Sequence, residues 1–490
     1  MSNFISTSGF LGQFIAGQHR AGRQGDVLKV SDPYDNSLLA EFLTASLDDV
    51  NEAFSVAEQA QKSWASKLPS ERSAVFHRAA IVMDQYRADI VDLIIRETGG
   101  THTKANAEWA ATRAGMMEAA ELPMRVEGRI MPINVPGKES RVYRVPLGVV
   151  SVISPWNVPL HLSNRSAAPA LALGNAVVIK PSEETPICGG LLLAKIYQEA
   201  GLPDGLLNVV NGDIPVIGDA FTLHPVARFL SFTGSERAGR AIASRVANSP
   251  TLKHIALELG GNSPLLVLDD ADIEQAVRAA VMGRFLHQGQ VCMSTNRIIV
   301  DKNRYEEFTG LFVEHVSRLK FGDPKEADTV IGPLINARQL QAAQALVAQA
   351  KASGLRQLLG GEAQGQVLPP HVFAPVPEDS PLAQTELFSP IAQIFISEND
   401  RHAVQMANNT SYGLSSAIFS KDEGRALQLS MQIEAGMVHI NDITVNDSPF
   451  NMFGGVKNSG LGRFNGEWSV ASYTEDRWVT IQRTPLQYPF

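Results

Sequence analysis

From residue 46 the apolar positions recur at helical spacing, with Val50, Phe54, Ala57 and Trp64 on one face. Ser46 is placed to cap this helix, and Asp48 and Asp49 suit its positive end. A second helix is expected behind a cap at Ser70, with Val75, Ala79, Ile81 and Met83 inward. The run Glu97-Thr98-Gly99-Gly100 closes a third. At Val142 the period changes. Val149 to Ile153 reads as a buried strand ending at Ser154-Pro155-Trp156-Asn157, followed by an alanine-rich helix over Ser166 to Gly174. Further apolar strands follow at Ala176 to Ile179, Leu206 to Val210 and Phe229 to Phe232, with a helix through Leu191 to Leu193. Continuous apolar strands alternating with helices predict a parallel sheet covered on both faces.

A second series begins at Pro264 to Leu268. It continues through a helix from Asp270 to Phe285, a strand at Arg297 to Val300, a helix from Gln339 to Ala352, a strand at Ile391 to Phe395 and the segment Gly436 to Asn441. Two α/β sheet domains of unequal size are the economical reading. The stretch Arg125 to Arg144 alternates polar and apolar residues, and the tail Ala471 to Phe490 is also strand-like. Together they predict a small extra sheet whose edges invite pairing with another subunit.

The 490 residues suggest two to four domains, and 44% hydrophobic with 19% charged residues fits a large soluble core. A net charge of −9 does not point to nucleic acid or an anionic membrane. Two cysteines cannot make a disulfide framework, which fits a reducing compartment. The first twenty residues do not read as a secretory signal, and no apolar run approaches the length that spans a bilayer. A cytoplasmic location is the expectation.

Polar residues punctuate the strand ends where ligands of parallel sheets bind: Trp156-Asn157, Lys180-Pro181-Ser182-Glu183 and Thr233-Gly234-Ser235. Lys180 and Glu183 suit the two hydroxyls of a ribose, and Gly234-Ser235 opens a helix whose free N–H groups suit a phosphate. Each has an ordinary reading too: Lys-Pro as turn chemistry, Ser235 and Asn157 as helix caps. Cys292 can likewise be a small buried hydrophobe, although Gln288, Gly289 and Gln290 suggest an accessible loop. Cys188, at a helix start, reads as structural. Glu258, between Leu257 and Leu259, must be paired or working.

The ordered series Pro155-Trp156-Asn157, Lys180-Pro181-Ser182-Glu183, Phe232-Thr233-Gly234-Ser235, Glu258-Leu259-Gly260-Gly261-Asn262, Gly289-Gln290-Val291-Cys292, Glu386-Leu387-Phe388-Ser389-Pro390 and Phe453-Gly454-Gly455 resembles the aldehyde dehydrogenase superfamily, of the non-acylating NAD(P)-dependent kind. The resemblance covers essentially the whole chain. It implies a Rossmann-like cofactor domain (1–123 and 147–257), an α/β catalytic domain (258–456) and a small β bridging domain (124–146 and 470–490) that joins dimers or tetramers. It implies that Cys292 is the nucleophile, that Asn157 with the Cys292 N–H forms the oxyanion hole, and that Glu258 is the general base. The implied cofactor set is Ile153, Ser154, Trp156, Lys180, Ser182, Glu183, Gly234, Ser235, Leu259, Glu386 and Phe388, with no metal. Ser389 departs from the family's usual glycine.

These roles imply attack of the Cys292 thiolate on an aldehyde, hydride transfer to the nicotinamide, and hydrolysis of a thioester by water that Glu258 activates. Glu183 would repel a 2′-phosphate, so NAD is favoured, with Lys180 leaving room for NADP. The Phe285–Met293 run and the ending Gln487-Tyr488-Pro489-Phe490 resemble bacterial benzaldehyde and vanillin dehydrogenases, which implies an aromatic aldehyde; an aliphatic or semialdehyde substrate is the alternative. Val158, Leu162, Val291 and Met293 are expected to build an apolar tunnel. Arg165 faces it or makes a salt bridge elsewhere. Three rivals are a Cys–His hydrolase using His287, a catalytically silent relative, against which intact Cys292, Glu258 and Asn157 speak, and an acylating enzyme that needs CoA.

Overall fold

The computed structural model describes residues 9–490. Five parallel strands form the centre of the first sheet, in the spatial order Leu207–Val209, Ala176–Lys180, Val149–Ile153, Ala227–Thr233 and His254–Glu258. Their side chains are almost all buried, because helices cover both faces. Antiparallel strands close the two edges: Gln13–Ile15 beside Leu207–Val209, and Gly460–Leu461 beside His254–Glu258. The direction of winding reverses between Val149–Ile153 and Ala227–Thr233. In a doubly wound sheet that reversal opens a crevice at the carboxyl ends of the strands.

The second sheet runs in the order Gln357–Leu359, His371–Phe373, Ile391–Ser397, Arg297–Asp301, Pro264–Val267, Ser415–Phe419 and Met437–Ile440, all parallel except the first. Lys138–Pro146 lies between Thr474–Gln482 and Arg129–Met131 in a third, antiparallel sheet. The molecule is α/β with a small β element, and both strand-like segments are in place.

Several local expectations change. The helix Leu47–Ala65 is capped by Ser46 as expected, with Asp49 returning the bond. The next helix starts at Pro69, not behind Ser70: proline presets the first helical φ, and Glu71 accepts the Leu68 N–H. Ile81 faces solvent, while Val75, Ala79 and Met83 are buried. The alanine-rich helix begins earlier, at Pro159, and runs to Ala172. Helix His102–Glu121 escaped the sequence reading because its buried face includes Lys104, Glu108, Thr112 and Glu118, so it has no apolar stripe.

Candidate active site

The register of the first sheet pairs Ile153 with both Lys180 and Phe232, and Thr233 with Glu258. Ser154, Pro181, Gly234 and Leu259 therefore leave the sheet along one edge. A cavity of about 240 Å³ opens at the winding reversal. Trp156, Asn157, Gly234, Ser235, Leu259, Cys292, Glu386 and Phe388 all line it, and Leu162 and Gln339 add to its wall. Ile153, Ser154, Lys180, Ser182, Glu183 and Glu258 lie outside that wall.

The second sheet approaches with its opposite edge. Gly260-Gly261, Cys292 and Glu386 each lie just before one of its strands, which begin at Pro264, Arg297 and Ile391. The paired glycines are a packing requirement. A side chain at Gly260 would collide with the Glu386 carboxylate, and one at Gly261 with the Cys292 carbonyl. Gly261 N–H donates to Glu386 Oε1 at 2.9 Å. Phe388 adopts φ +44° and meets Trp156 edge-on, with ring centroids 5.5 Å apart. Ser389 is not among the residues with positive φ, so a side chain there carries no backbone strain.

Cys292 is half-buried. Burial pushes its thiol up to about 12; the Arg165 charge opposes this, and the charges of Glu386 and Glu258 add to it. Gln288 and Gln290 do not form an accessible loop. Both are fully buried because their amides anchor it: Gln288 Nε2 donates to Gly99 O and Pro333 O, and Gln290 Oε1 accepts from Ile335 N–H. Asn157 Nδ2 donates to Gln290 O at 2.9 Å, which ties it to the Cys292 loop and leaves its second N–H.

Glu258 is 2% exposed, and neither carboxylate oxygen has a hydrogen-bond partner. Burial raises its pKa to about 8 against the charges of Arg165 and Arg463. Gly454 and Gly460 leave the space into which the carboxylate turns. Glu386 is raised to about 7 by burial, opposed by its bond from Gly261. Lys180 Nζ lies 3.5 Å from Glu183 Oε1, a buried atom without a hydrogen bond, and burial lowers the Lys180 pKa. Ser235 does cap the helix Glu236–Ala247, accepting from Ala238 N–H, and also lines the cavity.

The expected tunnel differs, and the two readings of Arg165 are resolved. Of the tunnel residues only Leu162 lines the cavity; Val291 and Met293 pack into the core. Arg165 makes the salt bridge instead, 3.5 Å from Asp447, with its guanidinium over Phe453 and Phe464. His161 Nε2 donates to Oδ2 of the same Asp447 at 2.9 Å, a partnership with no local sequence signal. His287 has no hydrogen-bond partner at either ring nitrogen, and burial drives its pKa well below the usual value. The ring therefore makes no hydrogen bond to Cys292, the contact on which a Cys–His hydrolase depends.

A family model described as "Aldehyde dehydrogenase family" matches residues 19–479. The chain belongs to the aldehyde dehydrogenase family. Within it, the chain is 48% identical to a vanillin dehydrogenase of Corynebacterium glutamicum, over 96% of this chain and 97% of that one. A crystal structure of an NAD-dependent benzaldehyde dehydrogenase from the same organism superposes with a TM-score of 0.90 at 44% identity, covering 98% of each chain. A salicylaldehyde dehydrogenase from Pseudomonas putida G7, solved with salicylaldehyde, gives 0.94 at 37% identity, over 98% of this chain and 99% of that one. Among the described residues of this aldehyde dehydrogenase, no helix is long and apolar enough to cross a membrane.

Proposed function

We propose that this aldehyde dehydrogenase oxidises an aromatic aldehyde, of the benzaldehyde, vanillin or hydroxybenzaldehyde type, to its carboxylic acid with NAD. The observation that carries the reading is one cavity joining Cys292 and Asn157 to Glu386 and Phe388, with an unpartnered buried carboxylate at Glu258. Trp156, Leu162, Leu259 and Phe388 supply flat apolar wall for a ring. The named relatives act on aromatic aldehydes, which supports the substrate class.

NAD fits the residues present. The Glu183 oxygen paired with Lys180 but free of a hydrogen bond suits a ribose hydroxyl, and its negative charge disfavours a 2′-phosphate. Gly234 and Ser235 lie at a helix N-terminus for the pyrophosphate, and Glu386 keeps one oxygen clear of its Gly261 bond for the second ribose. Ile153, Ser154, Trp156, Ser182, Leu259 and Phe388 complete the cofactor surface. When bound, NAD supplies the hydride acceptor that carries the reaction from aldehyde to acid oxidation level.

The chain's own residues do the rest. Cys292 must lose its proton to attack the carbonyl; Arg165 and the Met293 N–H favour the anion, and burial resists it. The second Asn157 N–H and the Cys292 N–H stabilise the alkoxide that develops. After oxidation the acyl group is held on the Cys292 sulfur. Glu258, in its carboxylate form, takes a proton from water, and the resulting hydroxide releases the acid. A base kept free of partners suits this step, because no bond must break first.

The reading assigns residues 1–123 with 147–257 to cofactor binding, 258–456 to catalysis, and 124–146 with 470–490 to a bridge between subunits. On the third sheet Ile130 is 78% and Trp478 65% exposed, an apolar surface that suits burial in a homodimer or homotetramer. Two free cysteines accord with a cytoplasmic location. The test is NADH formation across aromatic and aliphatic aldehydes, with and without CoA. Higher kcat/KM for the aromatic set without CoA is expected; faster oxidation of short aliphatic aldehydes overturns the substrate class.

A further inference from the structure

The helix Ile273–Phe285 carries a fully buried guanidinium that the chemistry above does not use. Burying a charge is costly unless its donors are met. Arg284 meets the donors of both Nη atoms with oxygens from two loops, its Nε–H alone lacking a partner. Its Nη1 donates to Thr295 O at 3.2 Å and Asn296 Oδ1 at 2.8 Å, and its Nη2 to Gly289 O at 3.0 Å and Ser389 O at 2.9 Å. Gly289 and Thr295 bracket Cys292; Ser389 follows Glu386 and Phe388. Asn296 extends the link, accepting from Leu387 N–H at 3.3 Å and donating to Thr385 O at 2.8 Å.

The two loops precede the adjacent parallel strands Arg297–Asp301 and Ile391–Ser397, whose ladder begins only at Ile298 and Ile394. Beyond it the sheet itself supplies no bond between the loops, and the planar fork of Arg284 takes its place. Gly289 sits at φ +73°, and a side chain there would collide with both Arg284 Nη2 and Ser389 O. The loop backbone is thus closed directly onto the guanidinium.

We propose that Arg284 is a positioning residue that locks the Cys292 loop to the Glu386–Phe388 loop and so fixes the nucleophile relative to the face on which the cofactor lies. The proposal rests on the roles given above to Cys292, Glu386 and Phe388. Misplacement of reacting groups by about 1 Å costs on the order of 100-fold in rate. Lysine at this position keeps a charge but cannot span four acceptors.

The experiment measures single-turnover NADH formation with enzyme in excess over benzaldehyde and saturating NAD. The rate then reports active molecules alone, whatever the misfolded fraction. Arg284→Lys and Arg284→Met are compared with the parent, and Arg284→Lys is repeated in a Phe388→Ala background. The expected result is a rate about 10- to 100-fold lower for Arg284→Lys, shrinking to under about threefold when Phe388 is already truncated, since coupled residues are non-additive. Where Arg284→Met is insoluble, Arg284→Lys decides alone. A single-turnover rate within about twofold of the parent, or an equal loss in both backgrounds, overturns the proposal. NADH formation that survives Cys292→Ala would instead overturn the site on which it rests.

Discussion

At the carboxyl edge of the first sheet, Asn157, Gly234 and Leu259 lie within a few residues of buried strands, and the strand register alone brings them together. At the amino edge of the second sheet, Cys292 and Glu386 lie just before their strands, on segments that the strand ladder does not reach. There a polar network of Arg284, Asn296 and Asn262 holds the segments in place. The first edge is built from apolar strands whose ends are punctuated; the second from buried polar side chains that bond to backbone. The strand-end groups come from an edge the hydrophobic pattern defines, whereas Cys292 is held by hydrogen bonds between segments about a hundred residues apart. Each kind of edge should fail in its own way.

The largest effect is expected at the tip of the second edge. Cys292→Ala should lower turnover by about 10⁴-fold or more while NAD still protects the protein against thermal unfolding. Turnover within tenfold of the parent would remove Cys292 from the chemistry. Glu258→Gln should reduce the steady-state rate by about 10²- to 10⁴-fold yet leave a first turnover of NADH, because only release of the acyl group needs the base. The parent's hydrolysis rate should climb with pH through about 8, as the buried carboxyl ionises, and this rise should vanish in the variant.

Asn157→Ala tests the first edge, with an expected loss of about 10²- to 10³-fold in NADH formation and little change in NAD affinity. A loss confined to NAD affinity would make Asn157 a cofactor residue instead. Where the edges touch, Gly261→Ala would press a methyl group into the Cys292 carbonyl. We expect about 1–3 kcal/mol of destabilisation in denaturant titrations, with activity falling further than stability.

The smallest effect is on stability. Glu258 has a native pKa raised to about 8, so the folded protein binds its proton more tightly than the unfolded chain. This contribution is fully present below the ordinary carboxyl range and is lost as pH rises towards 8. Glu258→Gln should match the parent's Tm near pH 4 and exceed it at pH 8. Equal Tm values at both would argue against a desolvated carboxyl.

The alternating apolar strands, the strand-end residues and the Glu258, Cys292 and Glu386 motifs were all legible along the chain, because each is a local pattern of a few residues. Helix His102–Glu121 was not, since Lys104, Glu108 and Glu118 interrupt its buried face, and Glu108 finds a distant partner: it accepts the Leu160 N–H at the start of the helix after Asn157. The Arg165–Asp447 pair and the amide anchors at Gln288 and Gln290 were hidden for the same reason. Polar residues at these positions read as loop or surface until their distant acceptors are known.

By itself the sequence determined the two-sheet α/β architecture, the small third sheet and the groups to which the proposed chemistry is given. Periodicity and short motifs are properties of neighbours in the chain. The tertiary structure decided how those groups are aimed. It joined the carboxyl edge of one sheet to the amino edge of the other, left Glu258 buried without a hydrogen bond, turned Arg165 towards Asp447 and closed two loops on Arg284. Each of these depends on burial and on hydrogen bonds between distant segments, which only the folded chain brings within reach.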